Sequence, residues 1–123
     1  MRTIDLTVLA RALDERNDYI IPPPTGRQSE GGEEIVWFAV HHVSRAESSY
    51  DVRAVFDPEA TIFLPSGNLT GQFMPEGCNC KWCQPTMDGP IRRHFCKHEC
   101  MIMLQMGTID PQLRKQAERI TSR

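Results

Sequence analysis

The sequence predicts a small α+β domain: a short antiparallel β meander or hairpin, flanked by N- and C-terminal helices, with one further short helix stapled to it. Three observations predict this. Apolar residues recur at helical spacing near both ends, from Leu6 to Leu13 and from Leu113 to Ile120. Between them, residues 35–43 and 50–56 are β-branched and aromatic, as strands are. All five cysteines, with two of the four histidines, then crowd into residues 78–100. A chain of 123 residues is one domain by length. At 40% hydrophobic and 7% aromatic its core is modest, so a cross-link would add useful stability.

Taken in order, residues 1–21 carry an amphipathic helix over 5–16. Asp5 is its N-cap, and Leu6, Leu9, Ala10 and Leu13 share one face. Arg11 and Glu15 pair at i,i+4 on the opposite side. The apolar face suits either the domain's own core or a second copy of the chain, a homo-oligomer. Residues 22–34 hold three prolines and three glycines, which exclude a helix or a central strand and predict a linker. Residues 35–107 form the main domain. Its strands are Ile35–Val43 and Tyr50–Phe56, joined by a hairpin loop, with a third expected over Ala60–Leu64 before the turn Pro65–Asn68. A short helix over 100–106 stops at Gly107. Residues 108–123 form a basic helix opened by Asp110-Pro111, with Leu113, Ala117 and Ile120 beside Arg114, Lys115, Arg119 and Arg123.

Charge divides the chain. Residues 1–77 hold 6 Lys/Arg against 12 Asp/Glu, or −6; residues 78–123 hold 8 against 4, or +4. Only the back half is suited to a polyanion. Asp5, Arg11 and Asp14 interrupt the first apolar residues, so no signal peptide is expected. No apolar run reaches the roughly 20 residues that span a bilayer. The expectation is an intracellular protein (cytoplasmic, or nuclear in a eukaryote) with no membrane partner. In that setting thiols stay reduced, and clustered cysteines hold metal more often than they form disulfides.

The stretch CNCKWCQPTMDGPIRRHFCKHEC suits Zn²⁺, which takes four nitrogen or sulfur ligands in a tetrahedron. Two ligand sets compete. Cys80-x₂-Cys83 with His94-x₃-His98 has the order of a two-Cys, two-His finger. Pro85, Gly89 and Pro90, however, break the segment where that finger's helix would run. The other set is Cys78-x-Cys80 with Cys96-x-His98. Cysteines two apart point to opposite faces of a strand, so Cys78 and Cys80 need a turn, for which Pro75-Glu76-Gly77 and Asn79 are suitable. Cys96 and His98 face one point only if Cys96 precedes a helix and His98 lies in its first turn.

This second arrangement resembles the SWIM-type zinc finger. The likeness extends to the strands IVWFAV and YDVRAVF, to Trp82 close behind the CxC, and to Cys96-Lys97-His98 opening an apolar helix. The resemblance implies that the ligands are Cys78, Cys80, Cys96 and His98. Cys83, His94 and Cys100 are alternates, and Cys100, among apolar neighbours, suits a buried thiol. It also implies a binding module, since such fingers contact DNA or other proteins.

Three function classes follow. The first is a non-enzymatic zinc module that binds nucleic acid or a protein that processes it, with Lys81, Arg92, Arg93 and Lys97 contacting phosphates. The second is a protein-interaction adaptor or inhibitor, with Met101, Met103 and Met106 as an adaptable apolar surface. The third is a nuclease, since His41-His42 and Asn68 faintly resemble the His–Asn constellation of HNH enzymes. Four thiolate or imidazole ligands would leave zinc no open position for water, which favours the first two.

Overall fold

A computed structural model describes residues 3–45, 49–63, 72–81 and 94–121. Within them are helices α1 (Leu6–Glu15), α2 (Lys97–Met106) and α3 (Pro111–Thr121) and strands β1 (Tyr19–Ile20), β2 (Thr25–Glu30), β3 (Glu33–His42), β4 (Ser49–Phe56) and β5 (Phe73–Cys78). The strands form one antiparallel sheet in the order β1-β3-β4-β5, with β2 also pairing with β3. The α+β architecture with flanking helices is the one the sequence predicts.

Alternation along the strands decides which face is covered. On β3, Val36, Phe38 and Val40 are buried, and on β4 Val52 and Ala54 are. They form one core with Leu9, Ala12, Ile102, Met106 and Ala117, so all three helices lie against the same side of the sheet. Asp5 caps α1 as expected, its carboxylate accepting from the N–H of Thr7 at 2.9 Å and of Val8 at 3.2 Å. The apolar face of α1 packs on α2 and α3 of the same chain. α2 buries residues all round its axis, as a central helix does. Among the described residues, no helix is long and apolar enough to cross a membrane.

Three local expectations are corrected. Residues 25–30, inside the expected linker, form an edge strand. Glu30 pairs with Glu33 across Gly31-Gly32, both at positive φ, which is the two-residue turn that twisted strands favour. The prolines stop at Pro24, before the strand begins, so they cost it no hydrogen bond. No strand covers residues 60–63, and Leu64 lies outside the described residues. Asp57 turns the chain, its side chain accepting from the N–H of Glu59 at 2.9 Å, and the open edge of β4 is taken by β5. Pro75-Glu76-Gly77 is part of β5 rather than a turn. Arg53 pairs with Gly77 and Ala54 with Pro75, which leaves Glu76 as an extra, bulged residue. On an edge strand a proline at such a bulge is tolerated.

One ion pair joins α1 to the start of α2. Lys97 Nζ lies 2.8 Å from Glu15 Oε1, and Arg11 Nε lies 3.5 Å from Glu15 Oε2. Burial works to raise the Glu15 pKa, but the hydrogen bond and charge of Lys97, with those of Arg11, outweigh it and hold the group below the ordinary glutamate range. A carboxylate depressed on folding adds stability that is full above its unfolded pKa and is lost as pH falls through the folded one. Glu15→Gln is therefore expected to cost about 0.5–1 kcal/mol at neutral pH, read by urea unfolding of both proteins. The wild-type advantage should vanish below the glutamate range. A difference that survives there would mean that the contact acts through packing instead.

Candidate metal centre

Two elements on opposite layers deliver the ligand candidates. Cys78 ends β5, its Cα partner on β4 being Val52. Asn79 then pairs with Asp51 through one backbone and one side-chain bond. Its N–H donates to Asp51 O at 3.3 Å, and its Oδ1 accepts from the Asp51 N–H at 2.9 Å. The chain can thus turn at Asn79 without stranding a backbone donor of β4, and Cys80 swings back toward Cys78.

On the helical side, Cys96 is the N-cap of α2 and His98 lies in the first turn, the placement expected for an i,i+2 pair. The Cys96 sulfur accepts from the Glu99 N–H at 3.5 Å, while Glu99 Oε1 accepts from the Cys96 N–H at 3.0 Å. This is a capping box with cysteine in the place of serine. It also sets the Cys96 sulfur at a helix N-terminus, where a thiolate is favoured. Glu99 is fully buried, and its carboxylate is held by this bond.

The Sγ atoms of Cys78, Cys80 and Cys96 and a ring nitrogen of His98 all lie within 4.8 Å of one another, so the four could hold a metal ion. Cys78 Sγ and His98 Nδ1 are 3.7 Å apart. Tetrahedral Zn–S and Zn–N bonds space their ligand atoms by about 3.5–3.8 Å, so this edge already has the length that a bound ion needs. The imidazole is stacked on Tyr50 at 4.1 Å and meets the edge of Tyr19 at 5.6 Å. Its Nε2 is buried with no hydrogen-bond partner among the described residues. The ring's other nitrogen, Nδ1, is the one that faces Cys78 Sγ and would be the ligand atom. The donor set, three sulfurs and one nitrogen, suits zinc.

The other candidates lie elsewhere. Cys100 sits one turn along α2, fully buried in the apolar core and outside the group of four. His94 Nδ1 is 2.9 Å from Thr3 Oγ1, in a short parallel bridge between residues 3 and 94. Lys97 is tied to Glu15, and Lys81 is exposed. Cys83, Arg92 and Arg93 lie outside the described residues, as do Trp82 and Asn68. His42 packs edge-on against Tyr19 at 5.1 Å, and its Nδ1 accepts from the Ser44 N–H at 3.2 Å. No protein-family profile matches the chain, and no curated protein or solved structure is significantly similar to it.

Asn79 stands in the turn between Cys78 and Cys80 as expected, whereas Glu99, Tyr19 and Tyr50 are site residues that sequence reasoning missed. Glu three places after Cys96 was a readable sign of the capping box. Nothing in the sequence ties Tyr19 or Tyr50 to the site, because sheet pairing brings them there. Partners that orient ligands are worth about 10–100-fold in metal affinity. Asn79→Ala should lower Zn²⁺ affinity by that factor in competition with a chromophoric chelator, and Asn79→Asp, which keeps the acceptor, by less. Unchanged affinity in Asn79→Ala would show that the Cys78–Cys80 turn holds without it.

Proposed function

We propose that Cys78, Cys80, Cys96 and His98 bind one structural Zn²⁺, and that the chain is a non-enzymatic, SWIM-like module that contacts nucleic acid or a protein that processes it. The observation that carries this reading is the convergence of three cysteine sulfurs and one imidazole, from two layers, to within 4.8 Å of one another. Four protein ligands leave the ion no open position, so what it supplies is a cross-link and charge compensation rather than reactivity. Three thiolates against a doubly charged ion leave the site at a formal −1, and contacts with a polyanion fall to the cations around it. Lys81 is exposed there.

A second reading, protein docking, is favoured by one observation. Ile20, Trp37 and Val43 are 58%, 38% and 54% exposed. Ile20 pairs with His41, so it and Trp37 share the sheet face opposite the helices. The methionines offered from sequence for such a surface belong to the core instead. Met101, Met103 and Met106 are all buried.

The zinc reading is tested by ligand loss. A structural zinc site contributes on the order of 10 kcal/mol, comparable with the whole stability of a small domain. Cys78→Ser, Cys80→Ser, Cys96→Ser and His98→Ala should each release the ion, measured by elemental analysis, and melt α2, measured by circular dichroism. Cys100→Ala should keep the ion and lose about 1–2 kcal/mol for a partly filled cavity. Retention of metal by all four ligand variants would refute the reading. For the partner, a labelled oligonucleotide should bind with an affinity that falls steeply with salt, and Arg92→Ala/Arg93→Ala should weaken it for every sequence alike. Absence of binding at low salt would put protein docking first.

A further inference from the structure

A cavity of about 230 Å³ opens beside the four ligand candidates, and its wall is cationic. Arg11 of α1, Lys81 after the second cysteine and Lys97 of α2 line it, with Tyr50 and the sulfur-bearing Cys80 and Cys96. From these observations the geometry points to a phosphate-binding cleft, an inference that rests on the zinc reading because three of the ligands, Cys80, Cys96 and His98, form part of its wall.

Size limits the occupant first. Pockets for drug-sized ligands and cofactors run from about 300 to 1,000 Å³, so this one takes a group rather than a whole cofactor. Charge limits it next. Arg11, Lys81 and Lys97 contribute +3, against −1 from Glu15 and −1 from a zinc site with three thiolates, which leaves +1 for an anion. The donors are not used up by Glu15. An ammonium has three N–H groups and a guanidinium five, and Glu15 faces one nitrogen of each. The N–H groups of Lys97 and His98 are the first two of α2, where the helix has no acceptor for them and its dipole favours negative charge. A phosphate, with several acceptor oxygens, fits a wall of cations and amides better than a carboxylate with two. Tyr50 already stacks on His98, so the cleft offers no free aromatic sandwich for a base. It reads a phosphate, whether one in a nucleic-acid backbone or a free one.

The test uses zinc-loaded, isotopically labelled full-length protein, its metal content measured separately. Pyrophosphate and, in a second arm, a single-stranded oligothymidine are titrated while backbone amide shifts are followed. Both are expected to move the amides of Lys81, Lys97 and His98. Arg11→Gln and Lys81→Gln, which alter exposed side chains and should fold with zinc bound, are each expected to weaken binding about tenfold. In the oligothymidine arm each should also lower the salt slope by about one. Tighter binding of the oligothymidine than of pyrophosphate identifies a polynucleotide backbone as the source, and the reverse a free phosphate. Four outcomes would overturn the cleft: no shift at those amides, equal shifts with acetate, binding indifferent to both substitutions, or docking of a protein partner that pyrophosphate does not displace. If zinc is present at one per chain, any of them removes the cleft alone. Absence of zinc with the amides still shifting removes the zinc reading instead.

Discussion

Three sulfurs and an imidazole nitrogen, brought together from a strand end and a helix start, set the terms for everything around them. Cys78 and Cys80 belong to the sheet layer, while Cys96 and His98 belong to α2. A metal bound between them would join the layers at one end, where the apolar core leaves off and sulfur takes over. The ligands also double as structural parts. Cys96 is at once a donor and the N-cap of α2, so the contacts that aim its sulfur are the ones that begin the helix. α2 in turn carries Ile102, Met103 and Met106 into the centre of the core. Loss of the cluster would therefore be felt well beyond residues 78–98.

The surroundings of His98 follow the same logic. Tyr50 and Tyr19 fix the plane of the ring from two strands, which limits the directions in which its nitrogens can point. On the other side of Lys97, Glu15 anchors the first turn of α2 to α1. The bridge between residues 3 and 94 adds a second tie from the N-terminal segment to the segment that leads into Cys96. The N-terminal helix is thus an integral neighbour of the cluster, despite its distance from it in sequence.

Much of this is legible in the sequence. Asp5 before an apolar stripe gave the start of α1, and Gly107 gave the end of α2, where it takes the left-handed conformation. The SWIM-type resemblance implied the four residues that come together, and their i,i+2 spacing required a turn at one pair and a helix start at the other. Where the reading failed, a non-local fact decided. Residues 60–63 have strand composition, but one edge of β4 can accept one neighbour and Phe73–Cys78 takes it. Pro75 and Gly77 look like a turn in isolation, whereas a bulge on an edge strand absorbs them. Gly31-Gly32 was different. The hairpin signal was present in the sequence, and the neighbouring prolines obscured it. Tyr19 and Tyr50 reach His98 through pairing register alone, which no local pattern records.

The packing of α1 on α2 and α3 has a consequence for synthesis. α1 rests on α2 and α3, which follow it in the chain, so its layer does not exist until both have been translated. At about 5–20 residues per second, α1 waits on the order of ten seconds with its apolar face bare. The sheet face that will later receive the helices waits with it. Residues 1–77, which emerge in that interval, are the part of the chain that carries −6, and like charges on nascent chains keep them apart.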